Sequence, residues 1–163
     1  MSKYQLIERE RKFLLAGEQV NTTGMLQKQI TDHYLNNTML RFRVVTDREG
    51  RKYKLTQKWP ADVTGAAAIT TIYLSRQEFE LLNIFDAVTV SKTRHLLQSG
   101  ELTIGLDHYF TETDELWLAE VEFASPEQML DFELPLPCIR EVTGQAEYDG
   151  YALARRFQQT SSQ

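Results

Sequence analysis

The sequence predicts an α+β fold: a closed eight-stranded antiparallel β tunnel with a charged interior, flanked by a few short helices. Three observations predict it. Eight segments have strand character and are separated by turn residues. Charged pairs recur at a spacing of two, so each pair shares one strand face. Helical signatures are few, short and capped.

The first strand spans Leu6 to Leu15. Glu8, Glu10 and Lys12 share one face, and Arg9, Arg11 and Phe13 share the other. Two neighbouring carboxylates repel each other unless a cation sits between them. Oxygen ligands at that spacing suit a hard divalent ion, and the lysine beside them suits a phosphate. Gln27 to Leu35 carries Ile30, Tyr34 and Leu35 and precedes a turn at Asn36-Asn37. Met39 to Thr46 sets Arg41 and Arg43 against Leu40, Phe42 and Val44. After the turn Asp47-Arg48-Glu49-Gly50, Lys52 to Trp59 aligns Lys54, Thr56 and Lys58, and Pro60 closes it. Ala67 to Leu74 is rich in Ile and Thr. Val88 to Gln98 bears Lys92 and Arg94 and turns at Ser99-Gly100 into a hairpin with Glu101 to Phe110. There Thr103, Gly105 and Asp107 lie opposite Leu102, Ile104 and Leu106. In Leu116 to Phe123, Glu120 and Glu122 lie opposite an apolar row that includes Trp117 and Val121.

Ser75-Arg76-Gln77-Glu78 is a capping box that opens a short helix to about Asn83. Ser125-Pro126-Glu127 supplies a cap residue and then proline, with Met129, Leu130 and Phe132 as the apolar side. Glu147 to Gln158 reads as a terminal amphipathic helix, and Thr160 to Gln163 as a frayed tail.

At 163 residues the chain suits one domain, 1–163, with a sizeable core. A formal net charge of -5 disfavours a nucleic-acid partner. No apolar run reaches membrane-span length, so no membrane partner is expected. The start, Met1 to Gln5, has no apolar signal-peptide core, and the one cysteine, Cys138, excludes an intrachain disulfide. A cytoplasmic location and a buried or half-buried filler role for Cys138 are the expectations. His33, His95 and His108 lack metal-ligand spacing. There is no P-loop lysine and no nucleophile elbow.

The charged pairs sort by sign. Basic pairs occupy three strands, and acidic pairs occupy the first and the last. Closing the sheet with these faces inward sets seven cations, on Lys12, Arg41, Arg43, Lys54, Lys58, Lys92 and Arg94, opposite four carboxylates, on Glu8, Glu10, Glu120 and Glu122. Such a set cannot persist in a dry interior. A wet tunnel that binds a polyanion together with metal ions removes the difficulty. Helices would then cover the apolar outer faces.

The segment Glu8-Arg9-Glu10-Arg11-Lys12-Phe13-Leu14 resembles the ExExK signature of the CYTH superfamily, the triphosphate tunnel metalloenzymes. Arg41-Phe42-Arg43, Lys54 to Lys58, Lys92-Thr93-Arg94, Asp107, Glu120 to Phe123 and Glu141-Val142-Thr143 follow in the order that family shows. The resemblance runs from Leu6 to Phe157 and is nearest to compact bacterial inorganic triphosphatases. It implies metal-dependent hydrolysis of tripolyphosphate or a related triphosphate. Glu8, Glu10, Glu120 and Glu122 would hold Mg2+ or Mn2+. Lys12, Arg41, Arg43, Lys54, Lys58, Lys92 and Arg94 would bind substrate, with Glu8, Glu10 and Lys12 as the catalytic set. The partner would be a small polyanion, tripolyphosphate or a nucleoside triphosphate, bound by a monomer or homodimer.

Two departures qualify the resemblance. The family's RxExE-type strand, with an arginine and two glutamates before the first helix, is here Gly65 to Leu74 and carries no charge. Ile69 and Thr71 stand where the glutamates align. After Thr143 the chain reads Gly144-Gln145-Ala146-Glu147-Tyr148 and lacks the usual basic residue. Two alternatives therefore stand beside the hydrolase: a module that binds a nucleotide or polyphosphate without turnover, and an adenylyl cyclase. Trp59 beside Pro60 could stack on a base, although strand-end packing is the plainer reading.

Overall fold

The computed structural model describes residues 3–158. The tail from Thr160 to Gln163 lies outside the described residues. The strands are β1 (Leu6–Leu15), β2 (Leu26–Leu35), β3 (Leu40–Asp47), β4 (Gly50–Lys58), β5 (Ala66–Leu74), β6 (Ala87–Ser99), β7 (Leu102–Phe110), β8 (Glu115–Glu122) and β9 (Arg140–Glu141). The helices are α1 (Arg76–Leu82), α2 (Pro126–Leu130) and α3 (Gly150–Arg156). No described helix is long and apolar enough to cross a membrane.

The strands follow the order β5-β4-β3-β2-β6-β7-β8-β1, and β1 pairs back to β5, which closes an eight-stranded antiparallel barrel. The closing seam is shared. Leu6 to Arg9 pair with β5, while Phe13 and Leu14 pair on the same edge with β9. Between them Glu10 N donates to Gly65 O at 3.0 Å, and Lys12 N donates to Thr143 Oγ1 at 3.0 Å. A Cβ on Gly65 (φ +82) would stand 2.1 Å from the Glu10 carbonyl oxygen, so the seam closes only around a glycine.

The apolar residues sit on the outer face and at one end. Outside, Phe13, Leu15, Ile104, Val121 and Phe123 are covered by Met129, Phe132, Leu134 and Leu136, which follow from α2. Arg11 ties this cover down by donating to the carbonyls of Met129 and Phe132. Elsewhere α1, with its capping box formed as expected, seats Phe79 against Phe42, Tyr53 and His33. At one end α3 drives Leu153, Ala154 and Phe157 into the inward residues Val88, Val90, Tyr109 and Leu118. That end of the tunnel therefore has an apolar stopper.

Three expectations change. The terminal helix is shorter than Glu147 to Gln158: Ala146–Tyr148 forms a 3-10 turn, Asp149 is extended, and helix begins at Gly150. Gly150 must stay bare because a Cβ there would stand 1.9 Å from the Tyr34 hydroxyl. Cys138 is exposed rather than buried, because Leu134 and Leu136 take the inward places in that segment. Leu130 is exposed as well, and Met129 and Phe132 alone form the apolar side.

Candidate active site

Strand alternation sets which side chains face the tunnel. The cross-strand partners Glu10↔Glu122, Lys12↔Glu120, Arg94↔Asp107 and Asp32↔Arg43 bring opposite charges face to face on neighbouring strands, with one like-charged exception. A cavity of about 240 Å³ opens among Glu8, Glu10, Lys12, Arg41, Arg43, Lys58, Lys92, Arg94, Glu120 and Glu122. Ten of the eleven residues expected at the site thus converge. Lys54 does not line this cavity; its ammonium lies 5.1 Å from the Tyr73 ring centroid.

Two acids absent from the expected set complete the interior. Asp32 is buried and receives both arms of Arg43, Nε at 2.5 Å and Nη2 at 2.8 Å. Burial raises its carboxyl, but Arg43 and Arg41 outweigh that and hold it well below the usual carboxylate range. Asp107 is fully buried; it accepts from Lys92 Nζ at 2.5 Å and from both arms of Arg94 at 2.6 Å. Gly105 makes room for that fork, because a Cβ there would lie 2.8 Å from Arg94 Nε. Asp32 could have been read from its alternation with Ile30 and Tyr34, although it is a lone acid rather than one of a pair.

Most of the interior is paired. Lys58 Nζ meets Glu8 at 2.5 Å, Lys12 Nζ meets Glu10 at 3.3 Å, and Glu120 takes Arg94 with Lys12 and Lys92 each 3.7 Å away. Burial works against the charge on Lys12, yet Glu10 and Glu120 raise it above the ordinary lysine value. Burial likewise opposes the charge on Glu120, and Lys92, Lys12 and Arg94 overcome it. Lys92 is the reverse case: burial lowers it despite Asp107 and Glu120.

Two side chains are incompletely satisfied among the described residues. The Glu122 side chain makes no ion pair or hydrogen bond, and partial desolvation together with Glu8 and Glu10 raises its carboxyl, although the residue is exposed to solvent. Arg41 Nε is the buried side-chain donor left without an acceptor, 3.6 Å from Asp32 Oδ1. No three carboxylate, histidine or cysteine groups among the described residues form a ready metal cage. The donor chemistry nevertheless fits a hard divalent ion: Glu8, Glu10 and Glu122 supply only oxygens and repel one another.

Solved structures share this architecture. The inorganic triphosphatase NE1496 matches over 90% of this chain and 93% of its own, with 25% identity and a TM-score of 0.59. A second crystal structure of NE1496, described as a hypothetical protein, matches at 26% identity over 97% of its length. The chain has the fold of the CYTH superfamily. HpAC1 from Hippeastrum, described as an adenylyl cyclase candidate with a dominant triphosphatase activity, shares that CYTH fold at 12% identity and a TM-score of 0.53, over 76% of this chain and 82% of its own. No family model and no curated protein sequence matches. Within the CYTH frame, Ile69 and Thr71 take inward places on β5, beside Lys58 and Thr56, and carry no charge there.

Proposed function

We propose that this protein binds a compact triphosphate together with a divalent metal ion, Mg2+ or Mn2+, and hydrolyses its terminal anhydride. The observation that carries the proposal is two incompletely satisfied groups in one cavity: Glu122, a carboxylate with no cation partner among the described residues, and Arg41, whose Nε has no hydrogen-bond acceptor although Asp32 lies 3.6 Å away. A metal-bound phosphate satisfies both at once. Similarity to the inorganic triphosphatase NE1496 supports the same reading.

In this proposal Glu8, Glu10 and Glu122 hold the metal. Glu120 is less free for it, being held by Arg94, Lys12 and Lys92. When bound, a divalent ion polarises phosphoryl oxygens and lowers the pKa of coordinated water. Arg41, with its unspent donor, and Lys12, between Glu10 and Glu120, grip the phosphoryl oxygens and offset charge that builds during transfer. Arg43, Lys58, Lys92 and Arg94 complete the cradle, each paired with a carboxylate. Lys54 stands apart from this cradle.

Phosphate release from tripolyphosphate, with Mg2+ or Mn2+ and lost in Glu10→Gln, tests the proposal. No turnover with either metal would sink hydrolysis. A second reading, binding without turnover, is favoured by the charge-free inner face of β5. It expects tripolyphosphate to raise the melting temperature with no phosphate released.

A further inference from the structure

The closing seam has a gap behind Glu10 and Lys12. Pairing of β1 with β5 ends at Arg9, and pairing with β9 begins at Phe13. Loops hold the edge between them. Gly65 O accepts from Glu10 N at 3.0 Å, and Lys12 O accepts from Val142 N at 2.8 Å. In a continued antiparallel ladder Val142 O would accept from Lys12 N in return. Instead the chain turns at Thr143-Gly144, and Val142 O accepts from Gln145 N at 3.2 Å. Lys12 N donates to a side chain in its place, the Thr143 hydroxyl, at 3.0 Å.

That hydroxyl is fixed in its role. Its one proton goes to Glu141 Oε1 at 2.6 Å, so its oxygen meets Lys12 N as an acceptor. Glu141 is held in turn by Arg11, through Nε at 2.8 Å and Nη2 at 2.7 Å. The Thr143 methyl abuts Gly65, where an added Cβ would stand 2.8 Å from Cγ2. One side chain therefore joins both halves of the seam. Glu10, Lys12 and Thr143 all line the cavity, so a shift of the Lys12 amide moves Glu10 and Lys12 together relative to Glu122 and Arg41. Resting on the function proposed above, we propose that Thr143 is a positioning residue: its hydroxyl sets the β1 backbone so that Glu10 meets the metal while Lys12 meets the phosphate.

Phosphate release from tripolyphosphate by the full chain, measured against free Mg2+ and alongside the melting temperature, tests this. Thr143→Val keeps the methyl and loses the acceptor. It should lower kcat and raise the Mg2+ concentration for half-maximal rate about tenfold, in the range of one hydrogen bond lost at a buried amide. Thr143→Ser keeps the acceptor and should recover most of both. Glu141→Gln, which loosens the hydroxyl from outside the cavity, should move both in the same direction by less. A Thr143→Val protein that melts lower but keeps the wild-type kcat and Mg2+ dependence overturns the proposal, leaving the hydroxyl a purely structural role. If Thr143→Val does not fold, an unchanged Mg2+ dependence in Glu141→Gln overturns it equally. If the wild type binds tripolyphosphate without turnover, the same comparison is read from the Mg2+ dependence of affinity by titration calorimetry. Absence of binding by the wild type overturns the proposed function and this role with it.

Discussion

Withdrawing divalent metal should abolish most of the affinity for tripolyphosphate, although the tunnel is lined with cations. The inner wall sets six cations (Lys12, Arg41, Arg43, Lys58, Lys92 and Arg94) against six carboxylates (Glu8, Glu10, Asp32, Asp107, Glu120 and Glu122). Its summed charge is therefore close to zero. Tripolyphosphate adds roughly four negative charges, counting one strong acid per phosphorus and terminal groups that ionise near pH 6. One divalent ion cancels half of that, and two cancel all of it. If one ion enters with the anion, a tenfold rise in free metal tightens apparent binding about tenfold, or ~1.4 kcal/mol; two ions give about a hundredfold, or ~2.7 kcal/mol. Titration calorimetry at buffered free Mg2+ and constant ionic strength reads this slope directly. Glu122→Gln should flatten it. Equal affinity in excess chelator and in excess Mg2+ would refute the charge-neutral tunnel, because bare cations would then be holding the anion.

Further outcomes follow from single contacts. Gly65→Ala should destabilise by roughly 2–3 kcal/mol, from a side chain forced into left-handed backbone plus the loss of the Glu10 N to Gly65 O bond; thermal melting checks this. Asp32→Asn leaves Arg43 buried without its counter-charge and should cost about 3–5 kcal/mol in denaturant unfolding. Arg41→Met removes one of the two cations beside Asp32 but leaves the two-armed Arg43 pair, so it should cost less stability than Asp32→Asn, about 1–3 kcal/mol, while lowering triphosphate affinity at least about tenfold. Phe42→Ala, which empties the contact under Phe79, should cost about 3–5 kcal/mol. Burial lowers the imidazole of His33, with Asp32 opposing, so the folded state binds fewer protons than the unfolded chain. Its contribution to stability is therefore present above the unfolded value near 6.5 and is lost as pH falls through it. His33→Gln should show a smaller loss of stability between about pH 7 and 5.

Strand alternation made most of the tunnel legible in the sequence, because a period of two fixes the face each side chain takes. It does not fix depth. Lys54 and Lys58 share a face of β4, yet four residues separate them by about 13 Å along the strand, and only Lys58 reaches the cavity. Depth depends on register and on closure of the barrel through Gly65 and β9, which are long-range properties. The same limit hid the α3 stopper, whose partners Val88 and Leu118 are distant in sequence. Cys138 was misplaced for a related reason: an irregular covering segment has no period from which to read an inward face.

The two acids that a search for charged pairs passes over alter the chemistry most. With four carboxylates the interior would carry excess positive charge and attract any polyanion. With Asp32 and Asp107 added it becomes a paired network in which Arg43 and Arg94 are each held by a buried carboxylate. A fully paired network would be rigid and indifferent to ligands. This one has an opening of each sign, Glu122 and Arg41, in the same cavity. A lone anion satisfies only Arg41, and a lone metal ion satisfies only Glu122. The charge pattern therefore favours a ligand that brings both, and the inner face of β5, with Ile69 and Thr71 uncharged, adds no further carboxylate to activate water. Glu8, Glu10 and Glu122 then carry the metal coupling, so Glu122→Gln and Glu10→Gln should each weaken both the metal dependence of tripolyphosphate binding and phosphate release.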